Sequence, residues 1–384
     1  MESSGHKAIP LRAIPLRAGW ALGSLLALAG CGAGEPQSTE PLFIGAVLPL
    51  TGSESERGTQ VLAGMKLAIS LVETDVPVEV RALDVEDSPT LAARRLESLA
   101  LDPQVVAIVT GWSAATARAH AADPRRENLP MILLSPLAFP RSQPLDPALI
   151  PLHRLEALGS AAARFAREDL DADRAVVIEN PRWESSRVLT ASFEDCFTRS
   201  GGHIVSTIQP TPEGAAKTRR PAAEEENIEK VIAFSALSLP HLETLLENGS
   251  LAPSAILFPE GWAPPTNDLP SSKSIPGYVV SFSSEDDPST PAREFRAACE
   301  RAGLRPTDAV AFGWDAARVL LAAIGDGAKT RDGVRTAVHS RSGFEGATGR
   351  ILLRVPADSA ETPAVSAITP SGWAFQRRVP ARPK

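Results

Sequence analysis

The stretch Leu42–Ala68, LFIGAVLPLTGSESERGTQVLAGMKLA, constrains what this chain can fold into more than any other. It opens on an apolar run, Leu42 to Leu50, long enough for a fully buried strand and too short for a helix. Pro49 and the Thr51-Gly52 pair stop the run, and a polar loop of about six residues follows. From Thr59 the period changes, with Val61, Leu62, Met65, Ala68, Ile69 and Val72 recurring at helical spacing. Strand, polar turn and amphipathic helix form the opening half of a βαβ unit. In such units a ligand sits beyond the carboxyl end of the strand, over the turn and the helix N-terminus. Spacing alone reads equally well as the first βα unit of any α/β protein.

Further strand and helix patterns alternate behind it. Val78 to Leu83 reads as a strand running into the acidic Asp84-Val85-Glu86-Asp87, and Ala92 to Leu101 as a helix. Val105 to Thr110 is an apolar strand closed by Gly111-Trp112-Ser113, Thr116 to Ala122 a helix, and Met131 to Leu134 a fourth strand. This alternation predicts a parallel, doubly wound sheet. From Pro151 the pattern starts again. Helices are expected at Leu155–Ala166, Val188–Ser200 and around Leu239–Glu247. Strands are expected at Ala175–Ile178, His203–Ile208, Lys230–Phe234, Ala255–Phe258 and Tyr278–Phe282. Residues 210–226 are polar, proline-bearing and charge-patterned, which predicts a surface excursion. Pro291–Ala302 and Ala309–Ile324 read as two more helices.

Several of these strings resemble the leucine/isoleucine/valine-binding protein family, the type I periplasmic binding proteins that serve as extracytoplasmic receptors of ABC importers. They are Ile44-Gly45-Ala46-Val47-Leu48-Pro49-Leu50-Thr51-Gly52 with Gly58 and Gly64-Met65-Lys66-Leu67-Ala68, then Ala311-Phe312-Gly313-Trp314-Asp315-Ala316-Ala317, and Phe344-Glu345-Gly346-Ala347-Thr348-Gly349-Arg350-Ile351. The resemblance implies an α/β fold of two doubly wound, Rossmann-like lobes joined by a hinge of three crossovers. These fall near 148–152, 282–288 and 340–344. Lobe 1 is expected to hold residues 41–149 and 284–341, and lobe 2 residues 150–283 and 342–378.

The first 31 residues read as an address. Lys7, Arg12 and Arg17 form a basic leader, and Ala18 to Gly30 is an apolar run too short for a permanent bilayer span. It ends Leu28-Ala29-Gly30-Cys31, which looks like a bacterial lipobox, so Cys31 is the expected lipidation site. The alternative is a secreted protein in which Cys31 falls there by chance. Gly32 follows, without the aspartate linked to inner-membrane retention, so either membrane of the envelope is open. Residues 32–40 are small and polar, a tether. The formal charge of −7 falls to about −9 when the leader is removed, which argues against nucleic acid as a partner. Cys196 and Cys299 read as buried helix residues.

In amino-acid receptors of the family, hydroxyls and backbone N–H groups of the first lobe take the α-carboxylate, and an acidic residue of the second lobe takes the ammonium. Matched position by position, this implies a ligand site at Trp112, Ser113 and Ala114; at Leu137, Ala138 and Phe139; at Trp183; and at Glu260 and Trp262. Glu260 stands on the ammonium position, and Phe139 replaces the usual threonine. Independently of the family, Trp112, Trp183 and Trp262 each follow a predicted strand, which suits a flat or apolar ligand or an aromatic seam between lobes. No Walker loop, H-E-x-x-H, G-x-S-x-G elbow or cysteine cluster is present, so an enzyme, a metal and a cofactor are not expected. The expected partners are a small-molecule ligand, an ABC permease and the lipid anchor. The alternative is an outer-membrane interaction lipoprotein of the same fold, with a degenerate cleft, that regulates cell-envelope synthesis.

Overall fold

The computed structural model describes residues 40–86, 88–111, 129–134, 148–210, 216–218, 231–236, 242, 253–260, 275–353 and 360–381. The expected helices at Thr116–Ala122 and Leu239–Glu247, Cys31, and the site positions 112–114, 137–139 and 262 lie outside the described residues, apart from Leu242.

The apolar run that opens the domain forms β1 (Leu42–Leu48), buried from Ile44 onward. A six-residue loop, Pro49 to Glu54, leads into α1 (Ser55–Leu71). The helix begins four residues before the apolar period does, because its first turn is polar and solvent-facing. β2 (Val78–Asp84) follows, then α2 (Pro89–Ala100), β3 (Val105–Thr110), β4 (Met131–Leu133) and β5 (Leu149–Pro151). All five strands pair in parallel, in the order β2-β1-β3-β4-β5. That order reverses direction between β1 and β3, and α/β sheets bind ligands at such a switch point.

The chain then leaves this sheet through Leu152-His153-Arg154 into α3 (Leu155–Glu168). β6 (Arg174–Glu179), α4 (Glu184–Arg199), β7 (His203–Pro210), β8 (Ala216–Thr218), β9 (Val231–Ala236), β10 (Ala255–Pro259) and β11 (Gly277–Ser281) follow. The parallel strands β7-β6-β9-β10-β11 repeat the order of the first sheet. The segment expected as a surface excursion is partly tied down. β8 runs antiparallel to β7, with Gln209 opposite Lys217, and so extends the sheet edge.

A second crossing, from Phe282 to Ser289, returns the chain to the first sheet. α5 (Thr290–Ala302), α6 (Asp308–Gly325) and α7 (Arg331–Ser340) pack there. α7 is held by Arg331, whose guanidinium donates to the carbonyls of Val105 (2.9 Å) and Asp102 (2.7 Å). α6 lies against α1 at a crossing that excludes side chains. A Cβ on Gly64 would overlap the Val310 carbonyl, and one on Gly313 would overlap the Val61 carbonyl. A third crossing runs through the hairpin β12 (Gly343–Gly346) and β13 (Gly349–Leu352) into β14 (Ala364–Thr369) and β15 (Gly372–Arg378). β14 and β15 add antiparallel to β11. The result is two α/β lobes joined by three chain crossings, the type I periplasmic binding protein fold.

Arg378 fastens two of the crossings together. Its guanidinium donates to the Asp287 carboxylate (2.7 Å) and to the carbonyls of Phe282 (3.1 Å), Thr362 (2.8 Å) and Ala347 (3.0 Å). Asp287 is buried, so this is a desolvated, multiply bonded pair of the kind that costs most to break. Cys196 on α4 and Cys299 on α5 are buried free thiols whose burial pushes both pKa values up, Cys299 to about 11, and such thiols are inert. Among the described residues, no helix is long and apolar enough to cross a membrane.

Candidate functional site

The carboxyl ends of β1 and β2 are locked first. The Asp84 carboxylate accepts from the Leu50 N–H (2.8 Å), the Thr51 N–H (3.2 Å) and the Thr51 hydroxyl (2.6 Å). Burial opposes its ionisation, but these bonds and one from the Glu86 N–H outweigh burial and hold the carboxyl at about 2. The acidic strand end is thus a clamp on the loop that feeds α1. A metal is not needed to explain it, and among the described residues no cluster of His, Cys, Asp or Glu could hold one.

A cavity of about 860 Å³ opens between the lobes. From lobe 1 it is lined by Glu56, Arg57 and Gln60 on the first turns of α1, and by Leu134 just past β4. Thr307, the N-cap of α6, joins Asp308, Ala311 and Phe312 of that helix, Phe295 and Arg296 of α5, and Arg305 between the two helices in the same wall. The Thr307 hydroxyl donates to the Gln60 amide oxygen (2.8 Å), so the α1 and α6 ends move as one. Lobe 2 contributes Leu155 and Leu158 of α3, Glu260 just past β10, and Ser281 at the end of β11. Trp373 lines it too, at the tip of the β14–β15 hairpin. The volume exceeds what a small amino acid fills and lies within the range of small-molecule pockets.

Glu260 is the chemically distinctive group of this wall. Its own N–H donates to the Val280 carbonyl (2.7 Å), which extends the sheet by one bond, and its carboxylate accepts from the Phe282 N–H (2.9 Å). Desolvation pushes its pKa from 4.5 up to about 7, with the charge of Asp308 adding to the rise. The Phe282 N–H and Arg57 pull the other way without compensating. Among the described residues no lysine or arginine stands within ion-pair distance of it.

The expected site residues fare unequally. Glu260 lines the cavity. Trp183 does not; it is the N-cap residue of α4, 45% exposed. Phe312, Asp308 and Trp373 line the cavity and were not expected there from the sequence. Trp373 is 38% exposed although it follows a hairpin glycine, Gly372, with φ 136°. An aromatic after a turn glycine in the last hairpin is a signal that sequence reading could have used. Phe312 sits in an α6 pattern that reads as ordinary core, and Asp308 in the exposed first turn ahead of it.

Solved structures similar to this one include substrate-binding proteins of ABC transporters. A leucine-binding protein from Thermotoga maritima is similar over 88% of this chain and 99% of its own, with a TM-score of 0.63 and 20% identity. A branched-chain amino acid transporter substrate-binding protein from Streptococcus pneumoniae, solved with isoleucine, is similar over 88% of this chain and 100% of its own, with a TM-score of 0.62 and 16% identity. A solute-binding protein of an ABC transporter from R. palustris, solved with benzoate, covers 90% of this chain and 98% of its own, with a TM-score of 0.61 and 14% identity. At these identities the likeness establishes the fold. A search of curated protein sequences finds no match. The sequence profile of the periplasmic binding proteins matches residues 41–365, and the chain belongs to that family.

Proposed function

We propose that this protein is an extracytoplasmic solute-binding lipoprotein that captures a small amine-bearing ligand between its lobes for an ABC importer. The observation that carries the ligand class is Glu260, a carboxylate in the cavity wall that forms no ion pair among the described residues and is pushed up to about 7. A ligand ammonium placed beside it would supply the missing charge in a low-dielectric site, where such pairs are strong. The apolar wall of Leu134, Leu155, Leu158, Phe295, Phe312 and Trp373 suits a body larger than a branched aliphatic chain. Amino acids and an aromatic acid in the similar structures mark the range of solutes this fold accommodates.

Other site positions belong to the same reading. Trp112, Ser113, Ala114, Leu137, Ala138, Phe139 and Trp262 follow strand ends that face the cleft and would close around the ligand. The lobes are proposed as residues 41–149 with 284–341 and 150–283 with 342–378. Anchoring is proposed through lipid on Cys31, after removal of the leader and with residues 32–40 as tether. A diacylglycerol plus an amide-linked chain supplies the several signals that stable anchoring requires.

A thermal-shift screen of amines, amino acids and aromatic acids tests the ligand class. An amine or amino acid should raise the melting temperature of the wild type and leave Glu260→Gln unmoved. Ligands confined to acids without an amine would overturn it. Replacement of Cys31 by Ser should release the protein from the membrane fraction. A variant that stays there with unchanged processing refutes the anchor.

A further inference from the structure

The three crossings meet at one buried residue that the ligand site does not use directly. His153, in the first crossing, is 0% exposed. Its ring stacks on Phe282 of the second crossing, with centroids 4.1 Å apart and planes 12° from parallel. Its Nε2 lies 2.7 Å from the hydroxyl of Thr348 in the third crossing. That hydroxyl and the N–H groups of Ala347 and Thr348 converge on the Asp315 carboxylate of α6, at 2.6, 2.9 and 2.8 Å. On the other side of the ring, Nδ1 lies 3.4 Å from Glu361 Oε1 and has no hydrogen-bond partner among the described residues. Glu361 in turn accepts from the Arg154 N–H (3.1 Å).

Hydroxyl, imidazole and carboxylate in this order have the outline of a hydrolytic triad. Here Thr348 and His153 are both 0% exposed and Glu361 is 4% exposed, so no substrate reaches them. The relay instead stands directly behind the cavity wall. Phe312 meets the His153 ring edge-on at 5.6 Å, and Ala347 is bonded to Asp315; both line the cavity.

The proton inventory of the relay has one open place. With the Thr348 hydroxyl donating to Asp315, the neutral ring donates from Nε2 and presents a bare Nδ1 to the Glu361 carboxylate. One added proton changes this, whether it rests on the ring or on Asp315. In the first case the ring carries both N–H groups. In the second, Asp315 donates to Thr348, Thr348 donates to Nε2, and the ring proton sits on Nδ1. Either way Nδ1–H donates to Glu361. The charged groups around the ring are Asp315 from α6 and Glu361 ahead of β14. Arg154 and Glu156 follow it on its own segment, and the Arg378–Asp287 pair lies beyond Phe282 and Ala347.

We infer that His153 is a positioning residue for ligand capture, and that one proton taken up by its relay ties the three crossings into a single joint behind the cavity wall. The hinge is therefore stiffer in acid. The inference rests on the hinged-cleft reading, and the test separates the two. Wild type and Glu361→Gln are melted without ligand at about pH 8, about pH 7 and about pH 5.5. The advantage of wild type over Glu361→Gln should grow by roughly 2 °C or more as pH falls. Thr348→Ser, which keeps the hydroxyl, should retain the growth, and Thr348→Val should lose it. A difference that stays flat with pH overturns the proton-driven joint. Spin labels on Ser98→Cys and Thr198→Cys, exposed positions on the two lobes, read the hinge in the Cys31→Ser chain. The distance distribution should narrow in acid in wild type and not in Glu361→Gln. One that is narrow at both pH values refutes a hinge, and one that is broad at both refutes the proton's part in it.

Discussion

Replacing Glu260 by Gln should make the empty protein more stable above neutral pH while abolishing its affinity for an amine. The carboxyl rises from 4.5 to about 7 on folding, chiefly through burial and then through Asp308. The sign follows from linkage. Below pH 4.5 the group is protonated folded and unfolded, and burial costs nothing. Above about 7 it is ionised in both states, and the folded protein carries the whole cost of the desolvated charge. At about 1.4 kcal/mol for each tenfold change in the ionisation constant, the rise from 4.5 to about 7 corresponds to about 3.5 kcal/mol, an order of magnitude. Stability of the wild type should therefore decline as pH rises from about 4.5 through about 7.

A glutamine keeps an oxygen for the Phe282 N–H and removes the charge. The mutant should match the wild type in acid and melt higher at about pH 8, by roughly 4 °C if the lobes unfold together. Scanning calorimetry of both proteins across that range reads the effect. Adding a bound amine should then reverse the order at high pH, since the ammonium stabilises only the carboxylate form. Parallel stability curves for the two proteins would refute the reasoning, because the carboxyl would then carry no burial cost for a ligand to relieve.

Three further outcomes follow from particular contacts. Asp84→Asn should loosen the loop after β1, and the loss should vanish in strong acid. The wild-type carboxyl at about 2 contributes stability that is present above 3.8 and disappears as pH falls toward 2, which acid titration of both proteins checks. Gly64→Ala pushes a methyl into the Val310 carbonyl and should cost about 1–3 kcal/mol or more by chemical denaturation, whereas the same change at the open Gly325 should cost little. Trp373→Ala should weaken any ligand that shifts the wild-type tryptophan fluorescence. An unchanged affinity would remove Trp373 from the site.

Strands β3, β4 and β10 were legible in the sequence because each is a nearly unbroken apolar run, and β3 ends where Gly111 breaks the pattern, whereas the three-residue β5 was too short to stand out. Helix starts were less so. α1 and α4 begin in polar turns, Ser55-Glu56-Arg57 and Glu184-Ser185, that carry no apolar period, so the pattern shows the packed part of a helix and not its exposed first turn. Strand β8 was hidden for a similar reason. An edge strand buries little, and the polar Ala216-Lys217-Thr218 reads as loop until its partner Pro210 is known. Glu260, on which strand-end geometry and family resemblance agree, lines the cavity. Trp183 obeyed the same strand-end rule and turned out to cap a helix at the surface. The rule locates a residue along the chain and is silent on which way its side chain leaves the backbone.

Those limits matter most for ligand chemistry, because the groups that set it are brought together by the crossings. Asp308 is 48 residues from Glu260 in sequence and acts on it across the cavity, while the Phe282 N–H that fixes the Glu260 carboxylate belongs to the second crossing. The same Phe282 carries the His153 ring on its face and gives its carbonyl to Arg378. A motion of the second crossing must therefore change the hold on Glu260 together with the packing of His153. A ligand that pays for the buried charge of Glu260 thereby favours one arrangement of the crossing, by as much as its affinity differs between the open and closed states. On the proposed reading, capture and closure would be one equilibrium, read at Glu260 from the cavity side and at His153 from behind it.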